Sequence, residues 1–182
     1  VISAKTQEVI GLSSKKFIGV APFAAHRGKM YPLQLIKQVI AQLSNTGDYA
    51  VFLFGGGATE TAKLDKLASD FKGVTNMAGK LSFTQELELI SNLDVMLAMD
   101  SGNGHLTALY DIPVVTIWGV THPFLGFAPF NQPNENQLLA DRTKYPLVPT
   151  SVYGSTYPDG YEKAIETISP SAIVEKVLSV LK

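Results

Sequence analysis

The sequence predicts an α/β domain: a parallel sheet with helices packed on both faces. Its apolar runs are short and continuous, as in strands covered on both sides, rather than alternating as in strands with one wet face. Between them lie stretches whose apolar residues recur at helical spacing, so strands and helices alternate along the chain. Each polar, glycine-bearing cluster in the first two thirds follows a strand. With right-handed crossovers, that order places the clusters along one rim of a Rossmann-like sheet, where ligands of this fold class bind.

Phe17 to Ala21 is the first apolar run, followed by the polar loop Pro22 to Met30. Pro32 suits a first helical turn, Leu33, Ile36, Val39, Ile40 and Leu43 form an apolar stripe, and Gly47 marks the stop. Tyr49 to Phe54 is the second strand, broken by Gly55-Gly56-Gly57. A helix is expected over Glu60 to Phe71 and a short strand near Val74. Ser82-Phe83-Thr84-Gln85 then has the form of a capping box for a helix through Asn92. Val95 to Met99 and Val114 to Trp118 are two further strands, joined by a short helix from Asn103 to Tyr110. Gly119 to Ile168 carries six prolines and many aromatics with little periodicity beyond a helical turn near Tyr161, the pattern of a long functional loop. Ser169-Pro170 opens a last helix with Ile173, Val177, Leu178 and Leu181 on one face.

At 182 residues, 46% of them apolar, the chain is long enough for one well-buried core. A formal charge of −1 and a pI near 6.3 provide no basic stripe for nucleic acid and no polybasic segment for an anionic membrane. There is no cysteine, so disulfides and thiolate metal sites are excluded, in keeping with a cytoplasmic setting. No apolar run approaches the roughly 20 residues that cross a bilayer. The three histidines, His26, His105 and His122, lie far apart and no H-E-x-x-H is present, so no metal site is expected.

Asp100-Ser101-Gly102-Asn103-Gly104-His105 lies between a strand and a helix. Asp100 or Ser101 could simply cap that helix. The same geometry also suits an anion: free N–H groups, a positive partial charge, and glycines that let a phosphate approach the backbone. A nucleophilic elbow would need G-x-S-x-G, whereas Met99 and Asn103 flank Ser101 here. Gly55 to Glu60 starts like a dinucleotide fingerprint but has Glu60 in place of the third glycine, and no G-K-[ST] follows. Glu60 could instead bind a ribose diol. Lys29, on the same rim, is a candidate to neutralise a diphosphate, with Arg27 as second choice.

Asp100-Ser101-Gly102 with His105-Leu106-Thr107-Ala108-Leu109, Pro113 and Gly119-x-Thr121-x-Pro123 form a block that resembles the glycosyltransferase family 9 heptosyltransferases. Lys29-Met30-Tyr31-Pro32, in place of the family's K-x-W-P, Glu60, and the helix Ser82 to Leu93 support the match, which runs from about Phe17 to the end. The resemblance implies the carboxyl-terminal half of a GT-B enzyme that moves heptose from an ADP-sugar donor to a lipopolysaccharide core acceptor, by inversion, without metal or cofactor. On that basis Lys29 contacts donor phosphate or sugar and stabilises the leaving group. Glu60 holds the ribose, Leu81 lines the adenine, and Asp100, Ser101, Gly102 and His105 take the pyrophosphate and sugar. Residues 1–15 are then an interdomain linker and 16–182 the donor domain. The acceptor site and general base belong to an amino-terminal domain outside this chain, so the chain is expected to bind donor weakly and not turn over. The resemblance also implies a place in the cytoplasm, at the inner membrane face. Asn103-Gly104, Ala24-Ala25 and the absent cysteines depart from the family pattern and bear on which sugar and base are used. A UDP-sugar transferase or epimerase and a non-catalytic nucleotide-sugar module are the alternatives.

Overall fold

The computed structural model describes residues 3–11 and 14–181. Among these, six parallel strands form one sheet: β1 (Lys16–Ala21), β2 (Tyr49–Leu53), β3 (Val74–Asn76), β4 (Val95–Met99), β5 (Val114–Trp118) and β6 (Gln137–Leu139), in the order β3-β2-β1-β4-β5-β6. The expected parallel α/β class is thus observed. The chain winds outward from β1 through β2 to β3, then returns to lay β4 on the other side of β1. That reversal opens a crevice beyond the carboxyl ends of β1 and β4.

The continuous apolar runs are explained by two cores, one on each face. Successive residues of a strand point to opposite faces, so Val95, Leu97 and Met99 enter one core while Met96 and Ala98 enter the other. The first core is closed by α2 (Leu33–Ser44), α3 (Gly57–Ser69) and α6 (Pro170–Val180), through Ile36, Val39, Ile40, Leu64, Leu67, Ile173 and Val177. The second is closed by α4 (Phe83–Ile90) and α5 (Gly102–Ala108), through Leu89, Ile90 and Ala108. Each fully buried aliphatic side chain contributes about 1.5–3 kcal/mol.

The caps read from sequence are formed. Ser82 accepts from the Gln85 N–H while Gln85 bonds back to the Ser82 N–H, and the Ser169 hydroxyl accepts from Ala172. Some boundaries move, and α3 and α4 end at Ser69 and Ile90 rather than Phe71 and Asn92. The third helix starts at Gly57 rather than Glu60, which puts Glu60 in its first turn, and α5 runs from Gly102 to Ala108 rather than Asn103 to Tyr110. Strand β6, within the proline-rich stretch, had no counterpart in the sequence reading. Its three residues are fastened to β5 by the buried Trp118 indole N–H, which donates to Gln137 Oε1 at 2.8 Å.

Within residues 1–15, the expected linker, Ala4–Ile10 form a helix, α1; residues 1–2 and 12–13 of that stretch lie outside the described residues. Helix α1 is fastened to α4 by Glu88, whose Oε2 accepts from the Ser3 N–H at 3.2 Å and the Thr6 hydroxyl at 2.8 Å. The hydroxyls of Ser3 and Thr6 hold the Glu88 carboxyl below its ordinary value. A carboxylate lowered on folding contributes stability above its unfolded pKa, which is lost as pH falls through the folded one. Hydrogen exchange should therefore show slower amide exchange in α1 for the native chain than for Glu88→Gln at pH 7, and the difference should vanish as the pH drops below the carboxylate range.

Candidate functional site

After β1 the chain makes a 3-10 turn, Arg27–Lys29, whose middle residue is buried. The Gly28 carbonyl accepts from the Val120 N–H at 3.1 Å, and a Cβ on Gly28 would come within 2.6 Å of the Val120 side chain. Gly119 lies against the same carbonyl, where any Cβ would collide with it. This backbone-to-backbone contact fixes where Lys29 leaves the chain. Its ammonium reaches Asp100 Oδ2 at 3.0 Å, directly beyond the end of β4, and both side chains are largely buried, at 13% and 6% exposure. The Thr121 hydroxyl donates to the same oxygen at 2.9 Å. Asp100 therefore does not cap α5, and two protein groups share one oxygen of its carboxylate.

Residues 150–157 roof the pair. The Thr150 N–H donates to Val120 O at 2.9 Å, its hydroxyl donates to Thr156 O at 2.8 Å, and Gly154, at φ +74°, lies on the Lys29 methylenes. Neither Gly154 nor Tyr157, which packs on Gly28, stood out in the sequence, because their partners lie more than a hundred residues away. Beside the roof, His122 accepts the Phe124 N–H on Nδ1 at 3.3 Å. Burial, and then the nearby Arg142 charge, lower the His122 pKa, so the ring is neutral in the neutral range.

Beside the ion pair a cleft of about 310 Å³ opens at the reversal of the sheet. Glu60 and Gly55-Gly56 form one wall, Ser101, Gly102 and Asn103 the opposite one, and Phe23 and Leu106 supply apolar surface. Glu60 Oε2 accepts the Gly56 N–H at 2.8 Å, which orients the carboxylate at the mouth of α3. Ser101 is extended (φ −155°, ψ 168°) and its hydroxyl makes no cap; the oxygen is buried without a partner among the described residues. A buried polar atom left unpaired costs free energy until something bonds to it, and this one lies at the cleft wall.

Of the residues singled out from sequence, Glu60, Ser101 and Gly102 line this cleft, and Lys29 and Asp100 meet beside it. His105 is exposed, one turn along α5. Leu81 is not brought to the cleft; it packs at the edge of the core closed by α4 and α5, and Leu106 supplies apolar wall instead. Arg27, two residues from Lys29, lines a separate cavity of about 510 Å³ with Tyr31, Lys63 and Glu166. Tyr31 is a structural pillar there: its hydroxyl donates to Ile168 O at 2.5 Å, and burial, with Glu166 nearby, pushes its pKa up to about 12.

A family model described as Glycosyltransferase family 9 (heptosyltransferase) matches residues 3–156. Lipooligosaccharide heptosyltransferase 2 of Campylobacter jejuni is 24% identical over 175 residues, 93% of this chain and 52% of its own length. Lipopolysaccharide heptosyltransferase 2 of Salmonella typhimurium is 28% identical over 176 residues, 93% and 48% respectively. The chain thus spans about half the length of these relatives. The solved E. coli ADP-heptose lps heptosyltransferase II shares the fold, with a TM-score of 0.73 at 22% identity over all of this chain and 52% of that one.

The packing at Gly154 makes a direct test of the roof. An alanine there would adopt an unfavourable positive φ and bring its Cβ to 2.8 Å from Lys29 Cγ and Cδ. Gly154→Ala should lose about 1–3 kcal/mol of stability in urea unfolding, whereas an alanine at Gly56, which has open space around it and an extended backbone, should lose much less.

Proposed function

The chain belongs to glycosyltransferase family 9, and on that premise we propose that it is the donor half of an inverting, metal-independent transferase that moves heptose from ADP-heptose to a lipopolysaccharide core. The observation that carries this reading is the pairing, across one cleft, of an oriented carboxylate with an unpartnered hydroxyl beside a buried ammonium. A nucleoside diphosphate has groups that match them. The free oxygen of Glu60 suits the ribose diol. The Ser101 hydroxyl and the N–H groups of Gly102 and Asn103 suit phosphate oxygens. Lys29 adds positive charge on the diphosphate side, and the exposed His105, one turn along α5, suits a hydrogen bond to a phosphate oxygen.

Asp100 acts in this reading through Lys29 rather than on the ligand, because a bare carboxylate facing a diphosphate would repel it. When the glycosidic bond breaks, negative charge grows on the departing diphosphate. Fixed donors and a cation aimed at that charge are the electrostatic part of catalysis. The general base and the acceptor site are assigned to the amino-terminal half of such proteins, beyond the part that this chain spans. No described helix is long and apolar enough to cross a membrane; work in the cytoplasm at the inner membrane face fits a lipopolysaccharide acceptor.

Isothermal titration calorimetry tests the donor. ADP should bind and UDP should bind more weakly; Glu60→Gln should weaken ADP about tenfold and Ser101→Ala about threefold, the sizes of a charged and a neutral hydrogen bond. Equal affinity for UDP, or an unchanged Kd in both variants, would overturn the assignment.

A further inference from the structure

We infer that Thr121 is a positioning residue for the donor diphosphate, acting through Asp100 on Lys29; the inference rests on the proposed reading of the cleft. Asp100 Oδ2 has two partners, the Lys29 ammonium at 3.0 Å and the Thr121 hydroxyl at 2.9 Å. Thr121 is 1% exposed, so its hydroxyl is out of reach of solvent. Its neighbour Val120 is pinned on both sides, its N–H to Gly28 O at 3.1 Å and its carbonyl to the Thr150 N–H at 2.9 Å. The hydroxyl is therefore delivered to Asp100 by backbone that cannot easily shift, and the Thr121 methyl lies under Gly154 in the roof.

Such a hydroxyl affects binding and not only folding. Asp100 is compensated by the Lys29 cation and one hydrogen bond. Once Lys29 divides its ammonium between Asp100 and a phosphate, the buried carboxylate loses part of that compensation and the Thr121 donor is what it retains. An interaction that strengthens on ligand binding adds to affinity, whereas one equal in both states adds only to stability. Without the hydroxyl, Asp100 keeps a tighter hold on Lys29 and the diphosphate is less well met.

Valine at position 121 preserves the shape and removes the hydroxyl; serine keeps the hydroxyl and removes the methyl. The experiment measures ADP and adenosine affinity by calorimetry for the native chain, Thr121→Val, Thr121→Ser, Lys29→Gln and the Thr121→Val, Lys29→Gln double variant, with circular dichroism confirming the fold of each. Thr121→Val should bind ADP roughly tenfold more weakly and adenosine as the native chain does. Thr121→Ser should stay within about twofold, and in the Lys29→Gln background the valine should have no further effect on ADP. The inference is overturned if folded Thr121→Val keeps native ADP affinity, if serine fails as badly as valine, or if the two losses multiply. A Lys29→Gln chain with native ADP affinity would overturn the placement of Lys29 on the diphosphate, and this inference with it. Should Thr121→Val not fold, the serine variant decides: an ADP affinity lost while adenosine affinity is retained puts the effect in the methyl and overturns the role of the hydroxyl.

Discussion

The ion pair between Lys29 and Asp100 is the interaction on which the arrangement of this site depends. It joins the loop after β1 to the end of β4, the two strands that flank the reversal of the sheet. Burying two charges is expensive, and their attraction offsets the loss only when the remaining lone pairs and protons are satisfied. Here the Thr121 hydroxyl satisfies part of that demand, and Gly154 covers the lysine methylenes so that water is kept off the stem. Taking away one charge while leaving the other in place costs such pairs about 3–5 kcal/mol. The loop, the strand end and the proline-rich roof are therefore not independent parts.

That dependence explains why the stretch 119–168 is irregular without being loose. Its backbone contacts are specific: Val120 to Gly28, Thr150 to Val120, Ala140 to Trp118. The first and last connect it to the carboxyl edge of the sheet, where regular structure would have to stop in any case, and the second ties the stretch to itself. The close approach of Gly28 and Gly119 lets two main chains touch where side chains would hold them apart. A few glycines and one buried threonine thus do what a further helix does on the faces of the sheet.

The sheet was legible because a buried parallel strand leaves a local trace, a continuous apolar run between turn residues, and β1, β2, β4 and β5 have one, whereas β3, Val74–Asn76, shows only a lone valine between turns. Strand β6 has none: Gln137–Leu139 is too short, and it is held by a side-chain contact to Trp118 on a neighbouring strand. The site was legible to the same extent. Lys29, Glu60 and the turn at Asp100 each follow a strand, so topology alone brings them to one rim. What could not be read was direction. Arg27 and Lys29 are two residues apart, yet the tight turn between them sends one to a separate cavity and the other to Asp100. Leu81, given to the adenine by resemblance, packs partly buried at the edge of the core closed by α4 and α5, and no local signal shows that it stands outside the cleft lining. Thr121 stands 21 residues from Asp100, and only the parallel pairing of β4 with β5 sets the ends of those strands side by side.

The neutrality of the pair has a consequence for the proposed transfer. A lone lysine at position 29 would attract ADP at least as strongly as ADP-sugar, since the free nucleotide carries more negative charge, and would slow release of the product. With Asp100 already holding it, the ammonium offers the incoming donor only part of its charge. As the glycosidic bond lengthens, charge accumulates on the diphosphate oxygen and the balance between the two anions shifts toward the ligand. The gain is largest where that charge is greatest, and the part of it that grows toward the transition state raises the rate. In the proposed transfer, Asp100 and Thr121 would set how much of the Lys29 charge the diphosphate meets.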